Sequence, residues 1–190
     1  MSYPEGIMAL DIPTPEPLDE FIVKASNAAQ EIMGFVPNII TAHAHVPQRL
    51  KNFFAVRDEL MVSESGLSPL EREMIAVVVS AHNSCFYCLT THGAKVRQLS
   101  GDPTLSERLI MNYRHAGLDD RVQAILDFAV SLTATPQSFG DDDREALREA
   151  GFSEEDMWDI IDVTAFFNMS NRIAAGAGVI PNEEYLSLSR

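Results

Sequence analysis

An all-α fold is what these 190 residues predict. Apolar residues recur at three- and four-residue intervals along most of the chain, Ser-x-x-Glu and related caps open several of those stretches, and no segment alternates long enough to make a convincing strand. VVVS at 77–80 is β-branched, yet it lies inside a capped apolar pattern longer than a typical strand. The expectation is seven or eight helices behind an extended N-terminal arm.

The arm comes first. Residues 3–17 contain four prolines, each of which removes a donor and resists helix, so 1–17 reads as extended and 18–190 as one helical domain. Phe21, Ile22, Ala25, Ala28, Ala29 and Ile32 then form one helical stripe ended by Gly34, and GFVPN makes a turn. Pro47 stands at a first helical position ahead of Leu50, Phe53, Phe54, Val56, Leu60 and Met61. GLSPLERE follows, with Ser68 as N-cap, Pro69 as first helical residue and Glu71 closing a capping box. GLDDRVQAILDFAVSLT opens at Gly117 with Asp119 as cap, and GFSEEDMWDIIDVTAFFN at Gly151 with Ser153 as cap and Asp156 at the box position. Aligned on their glycines, the first two of these three segments share a Val-Ser pair, Val79-Ser80 and Val130-Ser131. The recurrence is either a repeated helical unit or the chance return of a common cap. In a true repeat only the first copy carries cysteines, because Pro136 falls where Cys85 stands.

Composition narrows the function. A chain with 46% apolar residues and ten each of Pro and Gly is ordinary globular material with no apolar run of membrane-spanning length. The start MSYPEGIMALDIPTPEPLDEF carries acids and prolines where a secretory signal has basic residues and an apolar stretch, so the expected location is the cytoplasm. A formal charge of −14 repels phosphate backbones and anionic headgroups, which argues against nucleic-acid and membrane partners. The charge is uneven: residues 49–121 hold nine acids and nine bases, while the flanks hold nineteen acids against five bases.

The chemistry sits in that balanced segment. Both cysteines lie in SAHNSCFYCLTTHGAKV, where Asn83 or Ser84 is placed to cap a helix running from about Cys85 toward Leu99. A C-x-x-C at a helix start favours a thiolate through unpaired N–H groups and the helix dipole, and three-residue spacing lets the sulfurs meet. His92, four residues past Cys88, falls on the same face. If the helix from Pro69 and the helix from Cys85 form a hairpin turning at 83–84, Glu73 comes opposite residue 94, about 3 Å of helix rise from His92. Glu73 can then hold that imidazole, as a carboxylate orients a general base, unless it is simply a solvated glutamate. A zinc site would take Cys85, Cys88 and His92 but needs a fourth ligand, with only His82 or a distant residue on offer. An inert core pair would need no histidine. Redox chemistry uses all of these groups.

The string GLSPLEREMIAVVVSAHNSCFYCLTTHG resembles the core signature of the alkylhydroperoxidase D / carboxymuconolactone decarboxylase superfamily, in particular its peroxidase-related branch. GFVPN before it and FFNMSNRIA after it support the likeness. The resemblance implies an all-helical, oligomeric fold (dimers, and hexamers as trimers of dimers) with a redox core at about 66–100. It also implies thiol-based hydroperoxide reduction without metal or other cofactor, by a glutamate, a C-x-x-C pair and a following histidine that match Glu73, Cys85, Cys88 and His92. Cys88 would attack the peroxide and become a sulfenic acid, Cys85 would condense with it to a disulfide, and an external dithiol such as a lipoyl- or thioredoxin-like protein would reduce it. Decarboxylase members generally lack the cysteine pair, and Tyr87 replaces a relay histidine that precedes the second cysteine in the best-known pattern. Reading the residues alone, the helix start favours acidity at Cys85 whereas the i,i+4 relation to His92 favours Cys88; the histidine decides for Cys88 as nucleophile. A non-catalytic redox sensor or disulfide-exchange protein is the alternative. Phe86, Tyr87 and His82 are candidates for the pocket, His43, His45 and His115 show no partner at useful spacing, and Asn168, Asn171 and Arg172 fit buried helix-to-helix hydrogen bonding better than substrate contact.

Overall fold

The structure, a computed structural model, describes residues 6–190; residues 1–5 of the expected arm lie outside them. The described residues form no strand. Ten α-helices follow one another: α1 (Glu20–Met33), α2 (Asn38–Ala42), α3 (Pro47–Val62), α4 (Pro69–His82), α5 (Phe86–Ser100), α6 (Leu105–Asn112), α7 (Asp120–Ala134), α8 (Asp141–Glu149), α9 (Glu154–Ala177) and α10 (Glu184–Ser187), with one 3-10 turn at Tyr113–His115. The expected seven or eight is too low because α2 and α10 are five and four residues long, below the length at which an apolar period can be seen in sequence.

The caps fall where the sequence puts them. Ser68 and Ser153 accept from the N–H of Glu71 and Asp156, whose carboxylates bond back to the cap N–H groups, and Asp119 accepts from Val122. Glu71 also reaches a second helix, because its other oxygen accepts from Arg121 Nε at 2.9 Å, and that guanidinium lies 4.1 Å over the Phe152 ring, tying the starts of α4 and α7 together. The α1 stripe holds only in part. Ile22 is buried, whereas Ala28 and Ile32 face solvent, because α1 packs on α2 and α3 along one narrow edge.

The main core is built by α4, α7 and α9. Ile75, Val77, Val79, Ile125, Leu126, Ile160 and Phe167 are all fully buried there, so VVVS is the most enclosed part of α4 rather than a strand. Phe166 and Phe167 join this core, while Trp158 remains 65% exposed. The C-terminal segment is pinned to α5 by the buried Arg97, which donates to the carbonyls of Tyr185 (2.8 Å) and Leu188 (3.1 Å). The arm is pinned too. Ala9 N–H donates to Ala177 O and Ile180 N–H to Ile7 O, and Ile7 and Met8 pack on a small separate cluster made by Cys85, Tyr87, Cys88, Ala42, Ala174 and Val179.

Candidate active site

The site begins with the α4–α5 turn. Cys85 N–H donates to Ser80 O (2.9 Å) and Ser84 N–H to Ala81 O (3.1 Å), the paired bonds of a Schellman motif, with Ser84 at the left-handed position, φ +52°. Because this motif closes α4 in two residues, Cys85 serves both as its last tie and as the N-cap of α5, at φ −83°, ψ 96°. Neither Asn83 nor Ser84 caps α5, contrary to expectation: Asn83 ends α4, and its side chain reaches α9 instead.

Both thiols are free and almost wholly enclosed, Cys85 at 1% and Cys88 at 2% exposure. α9 supplies the facing wall. Ser170 Oγ lies 3.9 Å from Cys88 Sγ. The Asn171 amide, itself buried, accepts from Asn83 Nδ2 (2.9 Å), donates to Ser80 Oγ (2.9 Å) and lies against both sulfurs. Helix-to-helix bonding of Asn168 and Asn171 is as expected, with Asn168 donating to Thr133 Oγ1 (2.9 Å). Residue spacing alone misses the role of Ser170 and Asn171 beside the thiols. The signal in the sequence is a polar Ser-Asn pair inside the apolar FFNMSNRIA.

The two thiols differ in acidity. The S–H of Cys88 donates toward Cys85 Sγ, and against the cost of burial the backbone N–H of Cys88, the nearby His92 ring and Asn171 add to this, bringing the Cys85 thiol down to about 7. Cys88 goes the other way: it gives up that hydrogen bond if it ionises, and burial and the charge on Cys85 push it well up. Cys85 at the start of α5 is thus shifted down and Cys88, one turn further on, is shifted up. The chief cause at Cys85 is the Cys88 thiol itself, with the backbone N–H of Cys88 a smaller contribution.

Glu73 and His92 meet. Glu73 Oε2 lies 2.6 Å from His92 Nδ1, both side chains are largely enclosed, and the ring stands edge-on to Phe167 at 4.6 Å. With Nδ1–H donating to the carboxylate, Nε2 is left as the proton acceptor. Tyr87 is buried within the thiol cluster; its hydroxyl accepts from Ile39 N–H at 3.4 Å, and burial pushes the phenol far above its ordinary value, so it is a strut between α5 and α2. His82, the last residue of α4, and Phe86, the first of α5, are both exposed beside the turn that carries Cys85. Arg172 is exposed and folds back on Asn168. Among the described residues no three His, Cys, Asp or Glu side chains converge as metal ligands, and no helix is long and apolar enough to cross a membrane.

An all-helical chain with an enclosed dithiol at a helix start, backed by a carboxylate–imidazole pair, is the class that fold and site define. The chain belongs to the alkylhydroperoxidase D / carboxymuconolactone decarboxylase superfamily. Residues 47–109 match the carboxymuconolactone decarboxylase family. The crystal structure of an uncharacterized peroxidase-related protein from Silicibacter sp. TM1040 is 50% identical over 100% of both chains, with a TM-score of 0.95. An uncharacterized peroxidase-related protein with an alkylhydroperoxidase AhpD core, from Ralstonia eutropha JMP134, is 40% identical over 98% of each chain, with a TM-score of 0.92. The debrominase Bmp8, at 16% identity over 99% of this chain and 98% of its own and a TM-score of 0.77, shares the fold. No curated protein matches the sequence.

Proposed function

We propose that the protein is a thiol-dependent hydroperoxide reductase. The observation that carries this reading is the enclosed Cys85–Cys88 pair, with Cys85 brought to about 7, beside the Glu73–His92 pair. Cys85 gives its thiol proton to His92 Nε2 and the thiolate attacks the terminal peroxide oxygen; the O–O bond breaks, the alkoxide leaves and takes that proton back from the imidazolium, and Cys85 becomes a sulfenic acid. Cys88 then attacks the sulfenic sulfur, water leaves, and a Cys85–Cys88 disulfide forms. An external dithiol, of lipoyl or thioredoxin type, restores the pair by two thiol–disulfide exchanges. This reverses the order of attack that the resemblance implies, on the ground that the Cys85 thiol is lowered and the Cys88 thiol raised.

The exposed Ile32, Met111 and Trp158 support assembly into a homo-oligomer, and the acidic composition disfavours nucleic-acid and membrane partners. The test is turnover. Purified protein given cumene hydroperoxide and dihydrolipoamide should consume both in equal amounts over many cycles, with the disulfide seen by mass spectrometry after alkylation. A disulfide that forms once without turnover would identify a redox sensor instead, and cysteines that stay free after peroxide would remove the redox reading.

A further inference from the structure

A cavity of about 490 Å³ opens on the other side of the thiol cluster's cover. Its inner wall is Met8, Ala42, Ala177 and Val179, residues that also belong to or pack on the cluster containing Cys85 and Cys88, so cavity and thiol cluster share a wall. Val56, Met169 and Ile173 line it and stay partly open to solvent. The volume falls within the ~300–1,000 Å³ of small-molecule sites, and the lining is predominantly apolar, as theirs is.

The polar lining is selective. In a chain of net charge −14, no acid lines this cavity, while Arg49, His43, His45 and Asn52 do. Every other arginine is engaged through its guanidinium by an acid, a carbonyl or a hydroxyl; among the described residues Arg49 alone is not. His43 is committed elsewhere: its Nδ1 is 2.9 Å from Ile39 O, its ring stacks at 6.3 Å on Phe53, and burial lowers its pKa, so at neutral pH Arg49 is the fixed positive charge of the lining. An apolar chamber with one unspent guanidinium, on an otherwise anionic protein, is complementary to an apolar body that carries one negative charge.

We propose that this cavity binds an amphipathic carboxylate, its hydrocarbon body against Met8, Phe53 and Ile173 and its carboxylate on Arg49. The inference deepens the hydroperoxide reading, resting on it only for the idea that the bound body is the substrate's own; the binding is independent of the thiols. Met8, an unbranched side chain, is the movable piece of the wall between the two.

Isothermal titration of the full chain with decanoate and with 1-decanol tests it, without peroxide or reductant. Decanoate should bind saturably at one site per chain. Arg49→Gln should weaken decanoate roughly tenfold to a hundredfold, as expected for one charge-assisted hydrogen-bonded pair, and leave 1-decanol unchanged. Val56→Trp, a partly exposed position, should block both ligands. Absence of saturable decanoate binding, or an Arg49→Gln protein that binds it as tightly as wild type, overturns the proposal. So does a Val56→Trp protein that loses its oligomeric state while wild type binds no decanoate, which would make the cavity a contact between copies. A C85S/C88S protein that still binds decanoate would separate the site from the peroxidase reading, since that reading fails on turnover alone.

Discussion

Two helical hairpins of this molecule start alike and end differently. Aligned on Gly66 and Gly117, α4–α5 and α7–α8 share an N-terminal cap and a Val-Ser pair, yet Glu73, Cys85, Cys88 and His92 correspond to Ala124, Pro136, Phe139 and Asp143. The first hairpin reverses in three residues, 83–85, through the Schellman turn at Ser84 and buries the thiols at the start of its second helix. The second needs residues 135–140 to turn, and its second helix, DDDREALRE, is short and acidic. Where the first holds thiols, the second holds a ring: Phe139 stands edge-on to Phe128 at 4.8 Å. Where the first has a histidine, Asp143 accepts from Ser131 Oγ (2.8 Å) and Gly140 N–H (2.8 Å), which is a cap and nothing more. A shared cap thus begins a hairpin without determining its chemistry; the tightness of the turn decides whether a side chain at the helix start is enclosed with donors around it.

The comparison breaks most visibly at the sulfurs. Cys85→Ser should abolish peroxide consumption, while Cys88→Ser should consume one equivalent and stop at a sulfenic acid on Cys85, trapped with dimedone and located by mass spectrometry. A dimedone adduct on Cys88 in the Cys85→Ser protein would restore the opposite order. One step down, His92→Ala should slow oxidation of the dithiol by about 10²–10⁴, and Glu73→Gln by less, whereas Asp143→Asn in the second hairpin should leave that rate alone; stopped-flow measurement against cumene hydroperoxide reads all three.

Acidity sharpens the contrast further. Alkylation of Cys85 by iodoacetamide should reach half its limiting rate near pH 7, against an ordinary thiol value of 9.0. The linkage follows from the sign: a depressed folded value means the unfolded chain binds more protons between 7 and 9, so this thiol's contribution to stability is absent below pH 7 and grows as pH rises from 7 toward 9. Cys88, raised in the fold, opposes that only above 9. Urea unfolding of the reduced protein across this window, compared with C85S/C88S, checks it. The smallest effect is at the turns. Ser84→Gly should stabilise by about 0.5 kcal/mol, since relief of ~1–2 kcal/mol of left-handed strain is partly offset by glycine's larger unfolded entropy, whereas Thr135→Gly, at φ −138°, should destabilise by about as much.

Much of this is legible in the residues themselves. The capping pairs at Ser68, Asp119 and Ser153 are local chemistry, and the Glu73–His92 meeting follows from helix rise once the hairpin is assumed to turn at 83–84. What the sequence hides is what depends on a third element. Asn171 reaches the thiols only because α9 crosses the hairpin, and Ile32 is exposed only because α1 has a narrow neighbour. The balance between the two thiols belongs to the same class. It is set by who donates to whom across one turn, and residue spacing does not record donors.

The arm over the thiols has a kinetic consequence. Two backbone bonds, Ala9 to Ala177 and Ile180 to Ile7, hold Ile7 and Met8 against a pair with no free path to a bulky partner. For a protein reductant the rate of exchange is then the intrinsic rate multiplied by the fraction of molecules in which this strip has come away. The same holds for any large thiol reagent, so the ratio of labelling rates for a large and a small reagent reads the free energy of that local opening directly, in the native protein and without denaturant.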